Sequence, residues 1–324
     1  MMKIELASYQ TAYLLKYFLV YPLQDAIRTG ALSKRWKHLW TCVPILVFQH
    51  PCDSCCLYVS PDFFSYVDKT LTQRPHLKVN KFTLSCFYDN HVKSQVHNWI
   101  RYAVNCNVED LHLWLYDMGR RIRFQLDQFF FINSCFAHLT LKHCAFNPTG
   151  AISWKNLRKL CIAYEKLDED LIENILSGSP VLETLVLDYC NGYRRLNIMS
   201  KSVKNLVLHL WHYDIIEINA PNILTLKVQY ARELRNILLP NVSSLVEAHL
   251  DYRMRLFQFE TTTDEAQEEM LRGFILNLLH VKDLKIGTSC VKVIDRLKAK
   301  GFICPSNLKV LDDNDPVGVM RLVD

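Results

Sequence analysis

The sequence predicts an α/β fold: a leucine-rich solenoid with a curved parallel sheet and a helical or irregular convex side, preceded by a small helical segment. Three observations predict it. Half of the 324 residues are hydrophobic and 22% are charged, which is typical of a globular chain. A short apolar frame recurs at nearly regular spacing over most of the chain. A tryptophan-rich amphipathic stretch precedes the first frame.

The amphipathic stretch is residues 25–48, which read DAIRTGALSKRWKHLWTCVPILVF. Ser33 can cap a helix that Pro44 ends, because a serine hydroxyl accepts from first-turn amides and proline keeps its predecessor out of the helical region. One face of this predicted helix is apolar and consists of Trp36, Leu39, Trp40 and Val43. A short amphipathic helix needs a neighbour or a partner to cover such a face.

Three regions divide the chain. Residues 1–48 are predicted to form the small helical domain, residues 49–74 a turn-rich linker followed by one helix, and residues 75–324 the repeat domain. The linker begins with QHPCDSCC, whose proline, aspartate and serine favour turns.

The repeat domain is predicted from a recurring frame of six residues. The first, fourth and sixth residues of each frame are apolar. Its middle positions are Phe82, Leu111, Leu139, Leu160, Leu185, Leu206, Leu226, Ala248 and Leu284. A single frame means little in a chain that is half apolar. The spacing is informative, because successive middle positions lie 20 to 29 residues apart, except for the last interval of 36. Leucine-rich repeats have periods of about 20–29 residues.

The segments between frames carry two further signals of this repeat. Cys144 in LTLKHC and Cys190 in LVLDYC occupy the Asn/Cys position of the repeat, which predicts a structural role for both thiols. The connector LDEDLIENILSGSP predicts a helix that Asp168 caps, and TTTDEAQEEMLRGFILNLLH predicts a longer one. These helices are expected on the convex side.

Charge and hydropathy exclude several classes of protein. The formal charge of +5 and the pI near 8.5 are mild, so no nucleic-acid partner is expected. The apolar run at residues 9–23 contains Lys16, is too short to span a bilayer and lacks a cleavage site, so neither a membrane nor secretion is expected.

Most of the twelve cysteines lie in apolar runs, as buried free thiols do. These features predict a reducing compartment, the nucleus or the cytoplasm.

Motifs for catalysis or cofactor binding are absent from the sequence. The nine glycines are too far apart for a phosphate-binding loop or a nucleophile elbow, and there is no HExxH. The cluster HPCDSCC lacks the second ligand pair that zinc requires. We therefore predict no catalytic residue, no metal and no cofactor, and an enzyme is the least favoured class.

The stretch DAIRTGALSKRWKHLWTCVPILVF resembles the C-terminal half of the F-box in plant F-box/leucine-rich-repeat proteins. VNKFTLSC, LSGSPVLETLVLDYC and VKDLKIGTSC resemble repeats of the same proteins, so the resemblance extends from Pro22 to about Val310. The family's F-box opens with a Leu-Pro-Asp-Glu type segment. Tyr9, Gln10, Thr11 and Ala12 stand in its place, so the F-box is incomplete at its N-terminal end.

The resemblance implies a substrate-recognition subunit of a ubiquitin ligase. The implied partners are a Skp-family adaptor with its cullin scaffold and an unknown protein substrate. The residues expected to bind the adaptor are Pro22, Ile27, Leu32, Trp36, Leu39 and Trp40. Two alternatives stay open: the tryptophans pack only onto the repeat domain, or the chain is a stand-alone binding module that has lost the adaptor.

The substrate is expected to lie on the concave face of the sheet. Outward positions of the predicted strands form a mixed polar and aromatic lining for a protein or peptide. The predicted substrate-binding residues are Asp110, His112, Trp114, Thr140, Lys142, Asp188, His209, Lys227, Gln229 and His249.

Overall fold

A computed structural model describes six ranges of the chain. These are residues 39–50, 61–117, 122–210, 215–229, 237–251 and 264–310. The chain divides into two structural units, Met1–Leu157 (unit 1) and Arg158–Asp324 (unit 2). Among the described residues, no helix combines the length and hydrophobicity needed to cross a lipid bilayer.

Unit 1 contains a parallel sheet and three α-helices within the described ranges. Its elements are a 3₁₀ helix at Leu39–Cys42, β1 (Ile45–Gln49), α1 (Pro61–Thr72), β2 (Lys81–Tyr88), α2 (Lys93–Asn105), β3 (Asp110–Asp117), β4 (Phe124–Gln125), α3 (Gln128–Phe131), β5 (His138–Lys142) and β6 (Cys144–Ala145). Strands β1, β2, β3 and β5 pair in this order, all parallel, and β4 pairs with β6.

Unit 2 repeats this arrangement over more strands. Its described elements are β7 (Lys159–Ala163), α4 (Glu169–Gly178), β8 (Thr184–Asp188), β9 (Arg195–Asn197), β10 (Asn205–His209), β11 (Ile216–Asn219), β12 (Thr225–Gln229), β13 (Ile237–Asn241), β14 (Glu247–Asp251), α5 (Asp264–Asn277), β15 (Asp283–Ile286), a 3₁₀ helix at Thr288–Cys290, α6 (Val291–Ala299) and β16 (Leu308–Val310). The main sheet has the order β7-β8-β10-β12-β14-β15-β16, and a second parallel sheet has the order β13-β11-β9.

The predicted repeat frames coincide with main-sheet strands in each of the two units. In unit 1 Phe82 pairs with Leu111 and Leu111 with Leu139. In unit 2 the paired series is Leu160, Leu185, Leu206, Leu226, Ala248 and Leu284. All of these side chains are at most 1% exposed. Each turn of chain therefore adds one strand and one layer of core, which confirms the leucine-rich-repeat fold.

The structure adds strands that the frames do not mark. Strand β1 begins directly after Pro44, whose carbonyl oxygen accepts from the backbone N–H groups of Asn80 (2.8 Å) and Lys81 (3.2 Å). The parallel sheet therefore starts before residue 75, inside the segment assigned to the small helical domain. Strand β16 extends the other end, and β9, β11 and β13 form a sheet where helical or irregular connectors were expected. These strands have three to five residues, too short for a clear alternation of polar and apolar side chains.

The two predicted connector helices are present as α4 and α5. The side chain of Asp168 accepts from the backbone N–H of Leu171 at 2.8 Å, so it caps α4 as predicted. Ile172 and Ile175 form the buried stripe of α4. In α5 the buried face includes Met270 and Phe274. Both helices are held mainly by this tertiary packing, as short helices in proteins are.

Sharp turns follow several strands of the main sheets. His143, Tyr164 and Tyr189 adopt positive φ angles of 59°, 60° and 53° directly after β5, β7 and β8. The Cys190 thiol, next in sequence after Tyr189, donates to the carbonyl oxygen of Ile162 at 3.2 Å, and the Cys144 thiol donates to that of Lys142 at 3.6 Å. Both thiols are buried, which confirms their predicted structural position at the strand exits.

Candidate functional site

The open face of unit 1 carries five of the predicted substrate-binding residues. Because side chains alternate along a strand, residues at every second position share one face. In register, Asp110 lies beside His138, His112 beside Thr140 and Trp114 beside Lys142. The structure therefore brings Asp110, His112, Trp114, Thr140 and Lys142 together on neighbouring strands.

An aromatic platform, formed by Phe87, Trp114 and Tyr116, lies on this face. The ring centroids of Trp114 and Tyr116 are 4.6 Å apart, and those of Tyr116 and Phe87 are 5.6 Å apart. Lys142 places its ammonium nitrogen 4.9 Å from the Trp114 ring centroid, a cation–π contact. All four side chains are half-buried, so each presents part of its surface.

Two members of the platform were missed by sequence reasoning. Phe87 and Tyr116 lie beyond the three-position frames, at the C-terminal ends of β2 and β3. The signal was present, because both continue the every-second-residue spacing of their strands. His50 extends the aromatic series, with its ring centroid 5.6 Å from that of Phe87.

Asp110 is held in its charged form within this face. Its carboxylate lies 2.8 Å from Nε2 of His112 and 3.7 Å from Nζ of Lys81. Burial raises the pKa of Asp110, but the hydrogen bond and charge of His112, together with Lys81, outweigh it and lower the pKa below its ordinary value. This ion pair fixes the polar edge of the face beside the platform.

The other five predicted residues lie on the open face of unit 2. Asp188, His209 and Gln229 are register partners on β8, β10 and β12, and Lys227 lies beside His249. Nδ1 of His209 lies 2.8 Å from Oδ1 of Asp188.

Three of these five side chains are less accessible than the sequence suggests. Asp188, Gln229 and His249 are only 8%, 7% and 6% exposed. Neighbouring strands are about 4.8 Å apart, so long side chains on one face cover each other. Lys227 and His209 are half-buried and remain accessible in part.

His249 is the most unusual titratable group of this face. Its Nε2 atom is buried and makes no hydrogen bond within the described residues. Burial, reinforced by the charges of Lys227 and Lys285, lowers the pKa of His249 below its ordinary value, although Asp251 and Glu247 oppose the shift. The ring is therefore held neutral.

A stacked tyrosine pair borders the same face. Tyr164 and Tyr189, in the turns after β7 and β8, have ring centroids 5.3 Å apart and an interplanar angle of 22°. Tyr189 also lies 6.2 Å from the His209 ring. Sequence reasoning missed both, because they lie just outside the strand frames.

The predicted adaptor-binding residues are only partly within the described ranges. Pro22, Ile27, Leu32 and Trp36 lie outside them. Leu39 and Trp40 belong to the first 3₁₀ helix. Trp40 is 8% exposed, and its carbonyl oxygen accepts from Nη1 of Arg74 at 3.1 Å. This burial favours a packing role for Trp40, one of the two alternatives considered above.

Two buried thiols of the described residues are far from activation. Burial raises the pKa values of Cys86 and Cys190 to about 12, so both stay protonated at neutral pH. In the same ranges no three His, Cys, Asp or Glu side chains are grouped as metal ligands. Of the HPCDSCC cluster only His50 is described, and its three cysteines lie outside these ranges.

Comparison with known proteins agrees with the architecture. The family model of the At1g61320/AtMIF1 leucine-rich-repeat domain matches residues 71–267. F-box protein At5g03100 of Arabidopsis thaliana is 30% identical over 289 residues, which cover 88% of this chain and 89% of that protein. The putative F-box/LRR-repeat protein At3g18150 of the same plant is 32% identical over 298 residues, which cover 88% of this chain and 60% of that protein.

A third relative, the putative F-box/LRR-repeat protein At3g28410 of Arabidopsis thaliana, is 29% identical over 295 residues. The chain covers 60% of that protein, so it spans less than two thirds of the length of these two F-box/LRR-repeat relatives. No solved structure matches the chain. The repeat strands, the matching family model and the relatives lead to one conclusion: the chain belongs to the plant F-box/leucine-rich-repeat proteins.

Proposed function

We propose that this protein is the substrate-recognition subunit of a Skp-cullin-F-box type ubiquitin ligase, with a protein target held on its repeat strands. Membership of the F-box/leucine-rich-repeat family supports the ligase part of the proposal. The aromatic platform beside Lys142 is the observation that carries the recognition part. Tryptophan and tyrosine dominate the energetics of protein interfaces, because they bury large apolar surfaces and keep a polar tip.

In this role the chain performs no chemistry of its own. A bound target reacts because it is held near the transferring enzyme, which raises its effective concentration. The protonated, buried thiols support this non-catalytic role, since a thiol must ionise to act as a nucleophile. The proposed compartment is the nucleus or the cytoplasm, where free thiols stay reduced.

The adaptor is tested by affinity purification. The tagged full chain and a tagged variant that begins at Leu39 are each mixed with a Skp-type adaptor and cullin. We expect capture by the full chain and none by the shortened variant, because the predicted adaptor contacts before residue 39 are removed. Circular dichroism of both forms checks that the sheets persist.

Failure of the full chain to capture the adaptor would favour the stand-alone binding module. The burial of Trp40 is the observation that favours this second candidate, since a buried tryptophan offers a partner little surface. Capture by both forms would show that the predicted contacts before residue 39, which are Pro22, Ile27, Leu32 and Trp36, are not needed for adaptor binding.

The recognition face is tested separately by site-specific photo-crosslinking. A benzoylphenylalanine at Thr140, on the open face of unit 1, is compared with one at the exposed Arg272 on α5. We expect discrete crosslinked products in plant extract only from the first position. Trp114→Ala in the Thr140 variant should suppress them, and products that survive this change would contradict the platform's role.

A further inference from the structure

A half-open groove lies between α4 and the second sheet of unit 2. Its volume is about 600 Å³, within the 300–1,000 Å³ usual for ligand sites. One wall is α4, with Glu169, Glu173 and Leu176, and the other is β9 with Arg195 and Asn197. No residue that lines the groove belongs to the main sheet, so this site is separate from the open face described above.

A carboxylate of α4 links the helix to the backbone at the start of β9. Oε1 of Glu169 accepts from the backbone N–H groups of Arg194 (2.8 Å) and Arg195 (3.3 Å). These hydrogen bonds lower the pKa of Glu169, so its carboxylate stays ionised and keeps both hydrogen bonds at neutral pH. Asp168 also caps α4, which orders the first turn of the helix where Glu169 meets the backbone of residues 194 and 195.

The charge of the lining is negative. Nε of Arg195 lies 3.4 Å from Oε2 of Glu217, so its positive charge is already paired. Glu173 is exposed and forms no ion pair within the described residues. Glu169 is already bound by backbone N–H groups and lies near the charge of Arg194, so Glu173 is the carboxylate that the groove offers to a cationic ligand.

The remaining lining combines apolar surface with amide groups. Met199 is 60% exposed and Leu176 half-buried, so both offer apolar contact, and a methionine adapts to varied partners. Nδ2 of Asn219 donates to Oδ1 of Asn197 at 3.3 Å, and Oδ1 of Asn219 is buried, so Asn197, which is exposed, carries the amide that a ligand can reach. A side-chain amide can bond to the N–H and C=O groups of a peptide backbone.

We propose that this groove binds an extended segment of a partner protein in which a lysine or arginine lies beside a large apolar side chain. The cation would face Glu173, the apolar side chain would contact Leu176 and Met199, and the peptide backbone would bond to the amide of Asn197. A peptide fits better than a small cation alone, because the groove is half-open and offers all three kinds of contact along its walls. The inference does not depend on the ligase role.

The test measures fluorescence anisotropy with the full chain and two labelled octapeptides. The basic probe is GSLRLKSG, and the control probe GSLELESG has the charges reversed. We expect the basic probe to bind and Glu173→Lys to weaken it by about tenfold or more, because the substitution replaces attraction by repulsion. The same variant should bind the control probe more tightly than the unmodified protein does.

Two matched variants separate the groove from general effects. Asp170→Lys makes a similar charge reversal at an exposed position of α4 that does not line the groove, and it should leave affinity nearly unchanged. Met199→Ser should weaken the basic probe, whereas Ile215→Ser, at another exposed apolar position, should not. No binding of the basic probe, or equal losses in Glu173→Lys and Asp170→Lys, would overturn the proposal. In a competition experiment, arginine amide should displace the probe less effectively than the unlabelled peptide does. Equal displacement would also overturn the proposal, since the site would then bind a small cation.

Discussion

At the scale of single residues, neighbouring positions on one strand have opposite surroundings. Leu206 on β10 is fully buried between Leu185 and Leu226, its register partners. Val207, the next residue, lies on the open face and is half-buried. Alternation therefore separates residues that build the core from residues that can meet a partner.

Leu206→Ala should lower the free energy of unfolding by about 2–5 kcal/mol, because it removes buried methyl groups and leaves a cavity. Chemical denaturation at constant protein concentration measures the change. Val207→Ala is the matched control on the same strand and should cost about 1 kcal/mol or less. Equal losses would mean that the two faces are not distinguished as described.

Because His249 is neutral in the folded protein, we predict that acid lowers the stability of the protein. Its pKa is lowered in the folded protein, chiefly by burial, so the unfolded chain binds a proton first as the pH falls. Stability should therefore decline from about pH 6.5, the ordinary pKa of histidine, down to the folded-state value. His249→Gln should flatten this part of the stability profile.

Denaturation midpoints measured between pH 5 and pH 7.5 check this prediction. Lys227→Met removes one of the neighbouring cations and should flatten the profile in the same direction but by less, since burial remains. A profile that is identical with and without His249 would show that other groups set the acid response.

Sequence and structure agree at this scale where the pattern is local. The nine middle positions of the frames were predictable, because each is a buried apolar residue at a regular interval. The spacing of Phe87 and Tyr116 places both on the open face, but their contact with each other depends on the register between strands, which the sequence pattern does not give. The burial of Gln229 and His249 depends on neighbours across strands, and this too is invisible to a one-dimensional pattern.

At the scale of elements, α4 shows how much a connector depends on its first residue. The helix has ten residues, which is too short for stability without packing or caps. Asp168 satisfies a first-turn amide, and Glu169 ties the helix to β9. The cap was predictable from the sequence. The hydrogen bonds of Glu169 near β9 were not, because the sequence pattern did not predict β9.

Asp168→Ala should lower the free energy of unfolding by about 0.5–2 kcal/mol through loss of the cap. Asp168→Asn is the matched control and should retain most of the stability, since an asparagine side-chain oxygen can also accept from Leu171. Thermal or denaturant unfolding of the two variants measures the difference. Equal destabilisation in both would point to the charge of Asp168, not to its hydrogen bond.

At the scale of the whole molecule, each unit is a stack of strands in chain order. Within unit 2 every main-sheet strand pairs with the main-sheet strands that precede and follow it. In such stacks stability is approximately a sum of terms for each repeat and for each neighbouring interface. Interior strands have two neighbours, and terminal strands have one.

Hydrogen exchange followed by mass spectrometry should reveal this gradient. Amides of β10, which has paired strands on both sides, should exchange slowly. Amides of β16 should exchange faster, because this strand ends the described sheet and exposes Lys309 and Val310. Equal protection of the two strands would indicate that the sheet opens as one cooperative unit and not strand by strand.

The chain-order pairing of unit 2 also bears on how such proteins change over generations. Leu206 pairs with Leu185 on one side and with Leu226 on the other in the same alignment, so β12 presents to β10 the same kind of edge that β10 presents to β8. An in-frame loss of one repeat would join two edges that already match, and a duplication would insert a strand that both neighbours accept. The open face can therefore lengthen or shorten by single strands while its remaining layers keep their packing, so related chains can differ in repeat number and still share one fold.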